Sequence, residues 1–198
     1  PAEGKTMTSV NMALAFAQEG MKVALLDGDL RKPSVSELMK LPEGPGLTEY
    51  FRGESTPEEI QIVKDGVTFF RAGQKKGKVS GLIDEEKMNS LLEKLRKEYD
   101  VILMDAAPSY VFSDAMILSS YADKVLYVVR VDKADAKEIR VGMNYFEEKE
   151  KLIGYVINRD TGGYISQSGY GYGRYGKYQK YRKYAELDEE TMNTEDTL

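Results

Sequence analysis

The chain has 198 residues, 41% of them hydrophobic, and a formal net charge of −5. That allows one sizeable core with a tail and argues against generic nucleic-acid binding by the chain as a whole. Cysteine and histidine are both absent, which removes disulfides, thiolate metal sites, cysteine nucleophiles and the commonest general base, so acid–base chemistry falls to Asp, Glu, Lys or Tyr.

In chain order, Thr6–Glu19 reads as a helix ending at Gly20, a C-cap residue. Val23–Leu26 is an apolar run that stops at Asp27, and Val67–Phe70 is a further strand candidate. Asp84 caps a helix with Glu85 and Glu86 in its first turn and Met88, Leu91, Leu92 and Leu95 as its apolar stripe. Val101–Met104 stops at Asp105, and Val125–Val129 stops at Arg130. Ala134–Glu148 reads as a helix and Leu152–Ile157 as a last strand. Continuous apolar runs alternating with helices imply strands buried on both faces of a mainly parallel sheet, the doubly wound α/β arrangement. No apolar run is long enough to span a membrane, and no signal peptide is visible.

Composition changes near Thr161, which divides the chain into a domain over 1–160 and a flexible tail over 161–198. Seven of the 14 tyrosines lie within Tyr164–Tyr184, and five of these recur at every third position. Residues 170–184 carry five basic residues and no acid. Flexible low-complexity sequence is one reading of this stretch, and adhesion to single-stranded nucleic acid is another.

Gly4-Lys5-Thr6 opens the first helix and matches the second half of a phosphate loop, G-x-x-x-x-G-K-[ST]. The first glycine would fall two positions before Pro1. The loop start and the strand feeding it are therefore expected upstream, with this chain a fragment. Backbone N–H groups at a helix start cradle phosphate, a lysine reaches its outer oxygens, and a threonine hydroxyl ligates Mg²⁺. Taken alone, the tripeptide could be a chance match, and each aspartate a cap or turn residue. Asp27 and Asp29 follow one strand, however, and Asp105 ends another, the edge where open α/β sheets bind ligands. Together with Gly4-Lys5-Thr6 they favour a nucleotide site.

These segments, Leu25-Leu26-Asp27-Gly28-Asp29-Leu30-Arg31 and Asp105-Ala106-Ala107-Pro108 with the tyrosine-rich end, resemble the bacterial tyrosine kinases of capsule and exopolysaccharide synthesis, which have a P-loop NTPase fold. Pro1-Ala2-Glu3-Gly4-Lys5-Thr6 departs from that family's loop by Ala2 in place of glycine. The resemblance implies a protein-tyrosine kinase using ATP and Mg²⁺. Lys5, Asp27, Asp29, Arg31 and Asp105 would be catalytic, Asp27 as base for the tyrosine hydroxyl and Arg31 as support for the acidic cluster. Glu3, Gly4, Lys5, Thr6 and Met7 would bind nucleotide, with Asn158 and Arg159 at the adenine, while Thr6, Asp29 and Asp105 would hold the metal. Tyr170, Tyr172, Tyr175, Tyr178, Tyr181 and Tyr184 would be autophosphorylated.

The implied partners are a membrane adaptor of the polysaccharide co-polymerase type or a fused membrane domain, a neighbouring subunit receiving the tail, and a cognate tyrosine phosphatase, but no nucleic acid. The implied location is cytoplasmic, at the inner face of the cell membrane. Two other readings remain at this point: a non-kinase ATPase of the partitioning or division-site type, and a nucleotide-sensing scaffold.

Overall fold

A computed structural model of the chain describes residues 3–74, 81–107, 113–130 and 136–158. The first helix, α1 (Lys5–Gln18), buries Val10, Ala13 and Leu14 on one face. It ends as Gly20 predicts. The Gly20 and Met21 amides bond back to Ala17 O and Phe16 O, with Gly20 at φ 87°, the paired bonds of a Schellman cap. Next come β1 (Val23–Asp27), the short helices α2 (Val35–Leu38) and α3 (Leu47–Arg52), β2 (Gln61–Lys64) and β3 (Val67–Phe70). Then follow α4 (Glu85–Glu98), β4 (Val101–Asp105), α5 (Ser113–Tyr121), β5 (Val125–Arg130), α6 (Ala136–Glu147) and β6 (Leu152–Asn158).

Four strands form one sheet in the order β2-β3-β1-β4, and β5-β6 form a second. β1 lies parallel to β3 and β4, β5 parallel to β6, and only β2 is antiparallel. The register sets Asp27 opposite Asp105, so both carboxylates leave the sheet at one edge. The α4 stripe forms as expected. Asp84 Oδ1 accepts the Lys87 amide at 2.9 Å, and Met88, Leu91, Leu92 and Leu95 pack into a core with Leu26, Phe70, Ile60 and Phe51.

Three observations modify the expected sheet. β2, unforeseen, is joined to β3 by Asp65-Gly66, both at positive φ, which suits a two-residue hairpin turn. β6 is not a continuous buried run, because its residues alternate and Ile153, Tyr155 and Ile157 face outward. β1 and β3 are fully buried, but most of β4 and β5 is only half-buried despite apolar sequence. The reason is a cavity of about 710 Å³ lined by Val101–Asp105 of β4 and Val125–Val129 of β5, with Glu3 and Lys5 also in its wall. Among the described residues no helix is long and apolar enough to cross a membrane.

Candidate active site

Gly4 stands at φ 84° before α1. Backward helical bonding begins with Thr8, whose amide donates to Gly4 O at 2.9 Å. Helix geometry therefore leaves the amides of Lys5, Thr6 and Met7 for an anion at this end. A Cβ on Gly4 would lie 2.0 Å from Asn158 Nδ2, and the positive φ is itself strained for other residues, so glycine suits this position. Asn158 donates to Glu3 O at 3.0 Å, which places the end of β6 on the phosphate loop. Arg159 lies outside the described residues.

Lys5 Nζ pairs with Glu3 Oε2 at 2.6 Å. Burial works to raise the Glu3 carboxyl, but hydrogen bonds to it, that from the Lys5 ammonium the strongest, together outweigh burial and hold the group at about 2. The loop's cation is thus matched by the loop's own acid.

The three aspartates converge, though in different settings. Asp105 is buried, and both of its oxygens are held by α1: Thr6 donates to Oδ2 at 2.6 Å and Ser9 to Oδ1 at 3.1 Å. Burial pushes its pKa up, and those two hydroxyls work against the rise. Thr6 gives its one proton to Asp105, so Ser34, 2.9 Å away, donates its own proton to Thr6.

Asp27 is wholly buried. Its Oδ2 accepts the Val35 amide at 3.2 Å, while Oδ1 has no hydrogen-bond partner among the described residues. Burial, with the neighbouring Asp105 charge, raises this carboxyl to about 8. Asp29 differs in closing a turn, its Oδ1 accepting the amides of Arg31 and Lys32. The Arg31 side chain leaves the loop for α5, where Nε donates to Asp114 Oδ2 at 2.6 Å.

Mg²⁺ takes hard oxygen donors, and it binds through one or two carboxylates together with phosphate oxygens and water. The donor set here is of that kind, and the unpartnered Asp27 oxygen is a buried polar atom that such an ion or a proton would satisfy. Among the described residues no three acidic side chains form a group that could hold a metal by themselves.

Ser9, Ser34 and Asp114 were not singled out from sequence. Ser9 lies one turn beyond Thr6 on the same face of α1, a spacing that could have revealed it. Ser34 with Glu37 has the capping-box pattern S-x-x-E, yet its side chain makes no cap bond and turns to Thr6. Asp114 reaches the site only through the fold, because 83 positions separate it from Arg31.

The family model for ParA, described as the NUBPL iron-transfer P-loop NTPase, matches residues 3–158. The tyrosine-protein kinase CpsD of Streptococcus pneumoniae is 32% identical over 170 residues, covering 80% of this chain and 72% of that protein. The chain belongs to the bacterial tyrosine-kinase family of ParA-type P-loop NTPases. Among its other relatives, the tyrosine-protein kinase ptk of Acinetobacter johnsonii is 30% identical over 83% of this chain, which spans only 23% of that protein. The solved kinase domain of Escherichia coli tyrosine kinase ETK superposes with a TM-score of 0.74 at 30% identity, covering 87% of this chain and 69% of that one. Nucleotide and Mg²⁺ binding are general properties of P-loop NTPases. The cysteines an iron–sulfur branch would need are absent here.

Proposed function

We propose that residues 1–160 form the catalytic domain of a protein-tyrosine kinase that transfers the γ-phosphate of ATP to tyrosine hydroxyls. The observation that carries this reading is the buried Asp27–Asp105 pair beside the N-terminus of α1, with one Asp27 oxygen unpartnered. In a histidine-free chain this is a base, set within reach of a phosphate cradle, for a phenol of ordinary pKa near 10. A carboxyl raised to about 8 is closer to that phenol than an ordinary aspartate, which improves proton transfer.

In the proposed step the tyrosine oxygen bonds to the γ-phosphorus, the bond from that phosphorus to the β-bridging oxygen breaks, and ADP leaves. The phenolic proton passes to Oδ1 of Asp27 in its ionised form, after that carboxyl has released the proton that burial leaves on it, a release that Mg²⁺ beside the neighbouring carboxylates would favour. The amides of Lys5, Thr6 and Met7 orient the phosphates, and the Lys5 ammonium moves from Glu3 to phosphate oxygen. Thr6, Asp29 and Asp105 would hold Mg²⁺, which neutralises charge on the β- and γ-oxygens when bound. Asn158 and Arg159 would face the adenine.

The tail over 161–198 supplies the substrates Tyr170, Tyr172, Tyr175, Tyr178, Tyr181 and Tyr184, which lie outside the described residues. It is presented to a neighbouring copy in a homo-oligomer. Its five positive charges over 170–184 are cancelled by about three phosphotyrosines, each adding about −1.5 to −2, so phosphorylation releases it from an acidic docking surface. The wider setting is control of capsular or exopolysaccharide synthesis and export. There the chain works with a co-polymerase-type membrane adaptor or fused membrane domain and a cognate phosphatase, at the inner face of the cell membrane.

Incubation with Mg-ATP and a phosphotyrosine probe tests the reading, with Lys5→Met and Asp27→Ala as controls. Phosphotyrosine that both substitutions abolish supports it. ATP hydrolysis without phosphotyrosine overturns it.

A further inference from the structure

The loop from Gly28 to Ser34 is clasped to α5 at two points one helical turn apart. At the first, Gly28 bonds Asp105 O at 2.9 Å through its amide and sits so close to Leu118 that an added Cβ would lie 2.6 Å from its methyl. At the second, Arg31 Nε donates to Asp114 Oδ2 at 2.6 Å. Asp114 is nearly buried, its side chain 13% exposed, so its charge is matched by the guanidinium rather than by bulk water. The other acid whose charge acts on Arg31 is Asp29, in the same loop.

We propose that Asp114 is a positioning residue for the metal side of the site: by holding the Arg31 guanidinium against α5 it keeps that cation off Asp29. Arg31 carries its positive charge two residues from a carboxylate proposed to face Mg²⁺. Released, a long flexible guanidinium finds Asp29 within reach and forms the charge-assisted pair that the metal needs broken. Asp114 therefore touches neither nucleotide nor metal and acts wholly through Arg31. This inference rests on the proposed Mg-nucleotide site.

The test is binding of a fluorescent ADP analogue to the 198-residue chain, read as the Mg²⁺ concentration at half-saturation, with a parallel titration in EDTA. In Asp114→Asn the Mg²⁺ midpoint rises about tenfold, the size of coupling expected inside one charged network, while affinity in EDTA is unchanged. In the double variant Arg31→Gln/Asp114→Asn, which removes the competing cation, the midpoint falls back below that of Asp114→Asn. Arg31→Lys keeps the cation and loosens the clasp, so it raises the midpoint without emptying Asp114, which covers the case of Asp114→Asn failing to fold. Wild-type chain showing no Mg²⁺-dependent binding removes the nucleotide-site reading and this inference together. Normal wild-type binding with an unshifted midpoint in Asp114→Asn and Arg31→Lys, or a double variant as impaired as the single, removes the inference alone.

Discussion

Asp27 couples the stability of the protein to pH with a sign opposite to that of a salt-bridged aspartate. Its carboxyl is raised from 3.8 to about 8 by burial and by Asp105. Between those values the folded chain holds a proton that the unfolded chain has released, so folding stability falls as pH rises. The contribution is complete below the unfolded pKa and is lost as pH climbs through the folded one. Each pH unit inside the window is worth roughly 1.4 kcal/mol, so a rise from about pH 6 to about pH 7.5 removes on the order of 2 kcal/mol. At about 2–4 °C per kcal/mol for a chain of this size, Tm drops by about 4–8 °C. Asp27→Asn keeps the shape, cannot ionise and loses this share. Its Tm therefore exceeds that of wild type at the upper pH, and its Tm–pH line is shallower, with a remainder from Asp105, which burial also raises. Differential scanning calorimetry across the window measures both slopes, with Asp123→Asn on an exposed turn as the control. Parallel lines for wild type and Asp27→Asn would refute the argument that Asp27 is protonated in the resting fold.

Three further outcomes follow from the packing. Gly28→Ala drives a Cβ to 2.6 Å from both Asp105 O and Leu118 Cδ1, and chemical denaturation should show a loss of about 1–3 kcal/mol. Lys151 donates to the carbonyls of Ser119, Ser120 and Ala122 at the end of α5, so Lys151→Met should cost about 1–2 kcal/mol in the same assay. Extending the chain N-terminally with an apolar strand that can run into the cavity between β4 and β5 should raise Tm, because that cavity is walled by apolar residues of both strands; a polar extension of equal length should not.

Much of this fold was legible because its signals are local. The Schellman cap at Gly20 and the Asp84 cap with the α4 stripe are each written within a few residues, and the structure follows them. β2 was equally legible in principle. Asp65-Gly66 before Val67–Phe70 is a hairpin signal, but Gln61–Lys64 is short and half polar and lacks the apolar run that marks the other strands. Convergence of the acidic residues was legible for a different reason. Asp27 and Asp105 both end apolar strands, and a parallel sheet puts all such ends on one edge, which the register of β1 against β4 bears out.

What stayed hidden are relations between positions that no local pattern links. The half-exposure of β4 and β5 depends on what lies between two sheets, and a strand's own sequence carries no record of its neighbour. The hydroxyl relay from Ser34 through Thr6 to Asp105 joins three elements. The Arg31–Asp114 clasp joins a loop to the first turn of a helix 83 positions away. In the last two cases the side chains are of ordinary surface types, and only the fold puts them beside a buried carboxylate or a loop that carries one. The division of labour is physical. Strand ends, which sheet topology collects, bring the acids to the edge. Side chains from α1, α5 and the loop after β1 then set how each acid is held: Asp105 doubly bonded, Asp29 closed into a turn with its arginine drawn aside, and Asp27 left with one bare oxygen. In the proposed mechanism, that difference among three aspartates at one edge lets one take a proton while the others meet a metal.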